Sequence, residues 1–120
     1  SRGLGDVYKR QEQSMELAFA AIKIAAAKNG QNNICLMGCN LGAGTDKVCE
    51  GLKAALEKED LSVTILNNVL YDAEAMEKVS AAQGAVLVEK AGSTLYNEIV
   101  AELELLKRLE IPVLGGITVE

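Results

Sequence analysis

The sequence predicts a three-layer α/β/α domain built on a four-stranded parallel sheet of strand order 2-1-3-4. Two observations carry that expectation. Helical and strand-like stretches alternate strictly along the chain, as α-β-α-β-α-β-α-β, which implies right-handed crossovers with helices on both sheet faces. Hydrophobic residues make up 49% of the chain, yet only 3% are aromatic and tryptophan is absent. A core of Ala, Val, Ile and Leu suits helices packed on a buried parallel sheet.

Each element has its own signal. A first helix is expected over Glu12–Lys28, where Leu17, Ala20, Ala21, Ile24 and Ala27 recur at helical spacing, and Asn29–Gly30 ends it. "NICLMG" is a short apolar run closed by glycine, the mark of a buried strand. Asp46 to Lys58 reads as a helix with Val48, Leu52, Ala55 and Leu56 on one face, and "LSVTIL" as the second strand. Asp72 is placed to N-cap a short helix reaching about Ala82. "GAVLVEK" is the third strand. Ser93 or Thr94 then caps a long helix whose expected buried stripe is Leu95, Ile99, Leu103 and Leu106. Pro112 bars further helix, and "PVLGGITV" supplies the fourth strand.

The opening stretch stands apart from this pattern. "SRGLGDVYKRQ" lacks an initiator methionine and spells, residue for residue, the in-frame translation of a common transposase sequencing adapter. Ser1–Gln11 is therefore read as a non-native segment, and residues 12–120 as a single domain. On that reading the native start and any preceding domain lie upstream. The segment carries Arg2, Lys9 and Arg10 against Asp6, so without it the net charge moves from −5 to −7. An acidic domain argues against nucleic acid as a partner.

Three cysteines with no histidine make neither a disulfide framework nor a metal site, and they favour a reduced, cytoplasmic setting. "ELAFAAIKIAAAK" is too short for a membrane span and is interrupted by Lys23.

In a 2-1-3-4 sheet, the first and third strands are neighbours whose following loops diverge to opposite faces. Ligands bind at that switch point. The loops concerned are Gly38–Asp46 and Ala91–Thr94. The first of them, "GCNLGAGTDK", has the glycines of a phosphate-binding loop of the form G-x-x-x-x-G-K-[ST]. Such a loop wraps phosphates in backbone N–H groups, neutralises them with lysine and ligates Mg²⁺ through a hydroxyl. Here Thr45 stands where lysine belongs and Asp46 where the hydroxyl belongs, while Lys47 is displaced by two positions, about 200° round a helix.

The second strand ends in Asn67 and Asn68 rather than in an acid that could hold Mg²⁺. Gly42 and Gly44 would equally make a plain tight turn, with Thr45 or Asp46 capping the helix. The same glycines also resemble those of short-chain dehydrogenases. The Tyr-x-x-x-Lys of that family is missing, because Tyr71 is followed four residues later by Ala75 and Tyr96 by Val100.

The candidate site is thus a degenerate nucleotide- or anion-binding loop of Gly38, Asn40, Gly42, Gly44, Thr45, Asp46 and Lys47, faced by Gly92, Ser93 and Thr94. No catalytic residue, metal ligand or cofactor is assigned. ATP with Mg²⁺ and NAD(P) are the alternative occupants.

"NNICLMGCNLGAGTDKVCEGLKAALEKEDLSVTIL" and "GAVLVEKAGSTLYNEIVAELELLKRLEIPVLGGITVE" together resemble the cytoplasmic tyrosine-kinase domains of bacterial capsule and exopolysaccharide synthesis. The resemblance covers nearly all of Glu12–Glu120 and implies a phosphate-loop NTPase-like, Rossmann-like fold. The acidic metal-binding strand and the C-terminal tyrosine cluster of that family are missing here. What the resemblance then implies is a non-catalytic regulatory or docking domain of a polysaccharide chain-length determinant system. Its partners would be proteins of the synthesis complex, among them a tyrosine kinase that could act on Tyr71 or Tyr96. Its place would be the cytoplasmic face of the bacterial plasma membrane, held there through upstream segments.

Overall fold

A computed structural model describes the backbone of residues 4–120 and the side chains from Met15 onward, positions 43 and 44 excepted. The side chains of the suspected non-native segment lie outside that range. Helix α1 (Leu4–Lys28) runs without interruption across the boundary placed after Gln11.

The remaining elements are β1 (Asn33–Gly38), α2 (Ala43–Glu57), β2 (Ser62–Asn67), α3 (Ala73–Ser80), β3 (Gly84–Lys90), α4 (Tyr96–Arg108) and β4 (Val113–Val119). All strand pairs are parallel and the order is β2-β1-β3-β4. The α/β/α architecture and its strand order are as the alternation of elements requires.

The sheet divides the core in two. On one face α1 and α2 cover Ile34, Leu36, Val63, Val86, Val88, Leu114 and Ile117, with Ile22, Cys49, Leu52 and Leu56 packed against them. On the other, α3 and α4 cover Cys35, Met37, Leu66 and Ala85 with Ala75, Val79, Leu105 and Leu106. β1 is buried on both faces from Ile34 to Gly38, as the inner strand of a parallel sheet must be. Asp72 caps α3 as expected, its carboxylate accepting the N–H groups of Glu74 and Ala75 at 3.0 and 3.3 Å.

Two helix faces differ from expectation. In α1 the buried residues are Ile22 and Ala26, flanked by Met15, Ala18, Phe19 and Ala25, whereas Leu17 is 73% and Ile24 56% exposed. An alanine-rich helix has apolar residues all round, so spacing alone admits two registers.

In α4 the expected stripe keeps only Leu106 buried; Leu95 and Leu103 are exposed, and Glu98 and Glu102 turn inward instead. The N-cap of α4 is Leu95, not Ser93 or Thr94. The hydroxyl of Thr94 is committed to the Lys90 N–H and the Cys39 carbonyl. Among the described residues, no helix is long and apolar enough to cross a membrane.

Candidate functional site

The C-terminal ends of β1 and β3 lie side by side, with Gly38 in register with Val88. A side chain at Gly38 would collide with the Val88 carbonyl oxygen, so glycine is required there by the close approach of two backbones. From Gly38 the chain turns through Cys39, Asn40 and Leu41 into α2. Asn40 adopts φ 56°, the left-handed conformation that asparagine tolerates better than most residues.

That short turn is held by neighbouring side chains. The Asn40 N–H donates to Asn68 Oδ1 at 2.9 Å, and the Leu41 N–H lies 3.4 Å from Asn67 Oδ1. Asn68 is itself left-handed, at φ 59°, and its N–H donates to the Gly38 carbonyl at 2.7 Å. On the opposite side, the Thr94 hydroxyl accepts the Lys90 N–H at 2.9 Å and donates to the Cys39 carbonyl at 3.0 Å. Thr94 therefore straps the two switch-point loops together, which is why it is not free to cap α4.

A carboxylate occupies the middle of this arrangement. Glu98, only 4% exposed, accepts from Asn40 Nδ2 at 3.1 Å, from the Leu95 N–H at 2.9 Å and from the Tyr71 hydroxyl at 2.7 Å. Its contact with Leu95 is one half of a capping box, and a leucine side chain cannot return the other half. The Leu95 N–H, followed by the Tyr71 hydroxyl and the Asn40 amide, holds the Glu98 carboxyl below its ordinary range. The same bond pushes the Tyr71 phenol up.

One turn further along α4, Glu102 is 2% exposed and lies beside the Cys39 thiol, while its Oε2 has no partner. Burial, opposed by the Cys39 thiol and reinforced by the charge of Glu98, pushes the Glu102 carboxyl up to about 7. Burial also drives the Cys39 thiol up to about 12, with Glu102 and Glu98 adding to the effect. Cys39 is thus a thiol rather than a nucleophilic thiolate at neutral pH.

Glu102 also forms part of the wall of a cavity of about 200 Å³ between α4 and the paired strands β3 and β4. Its floor is Leu87 and Glu89 of β3 with Gly116 and Thr118 of β4, which the register places side by side. The Thr118 hydroxyl donates to Glu89 at 2.7 Å.

The phosphate-loop residues do not converge on this centre. Gly42 is the N-cap of α2, at φ −96°, and Gly44 lies within the helix. The N–H groups of Thr45 and Asp46 are turned back onto the Gly42 carbonyl at 2.9 and 3.0 Å. Thr45 is fully buried, with no partner for its hydroxyl. Asp46 is exposed in the first turn of α2. Lys47 lines a separate groove between α1 and α2, beside Met15, Phe19 and Leu52. Gly92 sits at φ 80° in the turn after β3, and Ser93 is exposed there. Of the anticipated residues, only Gly38, Asn40 and Thr94 build the centre. Asn67, Asn68, Tyr71, Glu98 and Glu102 complete it.

No family model and no curated protein matches the chain. A solved structure that does, that of unliganded arylmalonate decarboxylase, is 22% identical, with a TM-score of 0.54 over 82% of this chain and 46% of that one. The likeness is one of fold. The chain spans less than half of that structure's length.

These findings correct the expected kinship with capsule tyrosine kinases and chain-length determinants. The fold is shared with a decarboxylase, and nothing in the comparisons ties the chain to polysaccharide synthesis. A docking role in such a system, and the kinase-like alternative to it, lapse with that kinship.

Proposed function

We propose that the chain is a small-molecule-binding α/β domain whose ligand exchanges a proton with Glu102. The observation that carries this reading is Glu102 itself. It is a buried carboxyl at the C-terminal side of the sheet, with one oxygen unpartnered, in the wall of a cavity and poised near neutrality. Carboxyls of this kind are uncommon outside working sites, because an unsatisfied buried polar oxygen costs stability that a Leu or Met would not.

Binding, rather than turnover, follows from how the nearby donors are used. The N–H groups of Asn40, Leu41 and Leu95, which could stabilise a developing negative charge, are taken by Asn68, Asn67 and Glu98. The same arrangement makes a phosphate or a dianionic arylmalonate a poor occupant. Either would meet Glu89 and Glu102 in the cavity wall. The buried free thiols of Cys35, Cys39 and Cys49 suit a reducing, cytoplasmic compartment.

A fragment screen by NMR at pH 6 and pH 8 tests the reading. Ligands that shift the amides of β3 and β4, bind differently at the two pH values and lose that difference in Glu102→Gln are expected. An absence of binders, or binders indifferent to both pH and the substitution, would overturn it.

A further inference from the structure

β4 contains two adjacent glycines, Gly115 and Gly116, in the middle of a strand otherwise built from Val, Leu, Ile and Thr. Glycine there weakens a strand, and in such a position it often marks close approach by a ligand or another backbone. Neither glycine has a positive φ. A Cβ at Gly115 would touch Ile22 Cγ1 at 3.7 Å, an ordinary packing contact with α1. A Cβ at Gly116 would meet only the Leu87 carbonyl oxygen, at 3.9 Å. Among the described residues, neither backbone conformation nor packing therefore demands glycine at 116. What its missing side chain leaves is the cavity floor opposite Glu102.

The chemistry of that cavity is one-sided. Leu87, Ile99 and Gly116 make it apolar, while Glu89 from β3 and Glu102 from α4 are its ionisable groups and Thr118 from β4 adds a hydroxyl. Around Glu102 stand Glu98 on the same helix and the Cys39 thiol from the β1 loop. The nearest cation in sequence, Lys90, donates its ammonium to the Glu120 carbonyl at 2.6 Å.

We infer that Gly116 is the specificity-determining residue of a pocket for a small, largely apolar amine, whose ammonium group is received by Glu102 and Glu89. The inference rests on the proposed proton-linked role of Glu102 and names the ligand class for it. An ammonium offers three hydrogens to acceptor-only carboxylates, and Glu102 and Glu89 both stand in the wall that would receive it. At about 200 Å³, the space admits a compact ligand and no cofactor-sized one. Binding draws on ionised Glu102, so it releases a proton in the neutral range and strengthens as pH rises.

The test is NMR titration of the full chain at pH 8 and pH 5.5 with benzylamine, benzyl alcohol and benzoate, three probes of similar size and different charge. Wild type is expected to bind benzylamine alone, at least about tenfold more weakly at pH 5.5. Gly116→Ala should weaken it, and Gly116→Val should weaken it about tenfold or more by filling the floor. Both variants should stay folded and keep a Glu102 carboxyl that titrates above the ordinary range. Equal binding of benzyl alcohol or benzoate, unchanged binding in Gly116→Val, or no benzylamine binding at all would overturn the inference. If Glu102 in wild type titrates like an ordinary carboxylate, the parent reading fails as well. If it titrates near 7 while the pocket ignores amines, only this inference fails.

Discussion

The amide oxygen of Asn68 holds the backbone N–H of Asn40 at 2.9 Å, and both residues are in the left-handed conformation. One asparagine after β2 thereby fixes the turn after β1 and uses up a donor that a phosphate would need. Two substitutions separate the contributions. Asn68→Gly keeps the conformation and loses the bond, costing about 1 kcal/mol. Asn68→Ala loses the bond and strains the backbone as well, costing about 2 kcal/mol or more. Urea unfolding of both variants distinguishes them, and equal losses would show that the backbone is relaxed at this position.

That pair also marks the limit of what the sequence discloses. The bounds of β1 and β3 are legible because an apolar run between chain-breaking residues has one reading, and Asp72 is legible because a cap is a local event. Asn67 and Asn68 read as missing acids, since their work is done on a loop 26 and 28 residues earlier in the chain. Glu98 and Glu102 stand outside the stripe of Leu95, Ile99, Leu103 and Leu106 that helical spacing picks out, so nothing local turns them inward. Periodicity sees that α4 has leucines on two sides. It does not see that Asn40, Tyr71 and the Cys39 thiol wait at the sheet edge to receive two carboxyls.

Thr45 gives a second prediction, because its place in a phosphate-loop alignment hides a structural cost. Its hydroxyl is fully buried and unpartnered in the first turn of α2. Valine has nearly the same shape, a similar helix propensity and no hydroxyl. Thr45→Val is expected to stabilise the domain by about 1 kcal/mol in chemical denaturation. A loss of similar size would instead mean that the hydroxyl has a partner when folded in solution.

Tyr71 is 68% exposed, yet its hydroxyl closes on Glu98 at 2.7 Å. Removing it should be visible on the partner. In Tyr71→Phe the Glu98 carboxyl keeps the Leu95 N–H and the Asn40 amide but loses one donor, so it should titrate higher than in wild type, still below its ordinary range. Carboxyl-carbon NMR of the two proteins measures this directly, and an unmoved titration would mean that the tyrosine swings free. Modification of the hydroxyl, which blocks the donor and adds charge beside Glu98, should loosen the β2–α3 turn.

Glu98 and Glu102 pull the pH dependence of stability in opposite directions. The lowered Glu98 carboxyl stabilises the fold above its unfolded range, near 4.5, and that contribution is lost as pH falls through its lower folded value. The raised Glu102 carboxyl favours the fold while protonated. Its contribution is fully present below about 4.5 and is lost as pH rises through about 7. Stability should therefore peak in mildly acid solution, between those two ranges, and decline towards pH 8. The decline is on the order of 2 to 3 kcal/mol if Glu102 carries it alone. Glu102→Gln keeps an oxygen beside the Cys39 thiol and cannot ionise. The variant should match wild type within about 1 kcal/mol at pH 5 and exceed it at pH 8, flattening the upper limb of the curve. Thermal melts from pH 4 to pH 9 measure both limbs. An upper limb as steep in Glu102→Gln as in wild type would move the titrating group elsewhere in the molecule.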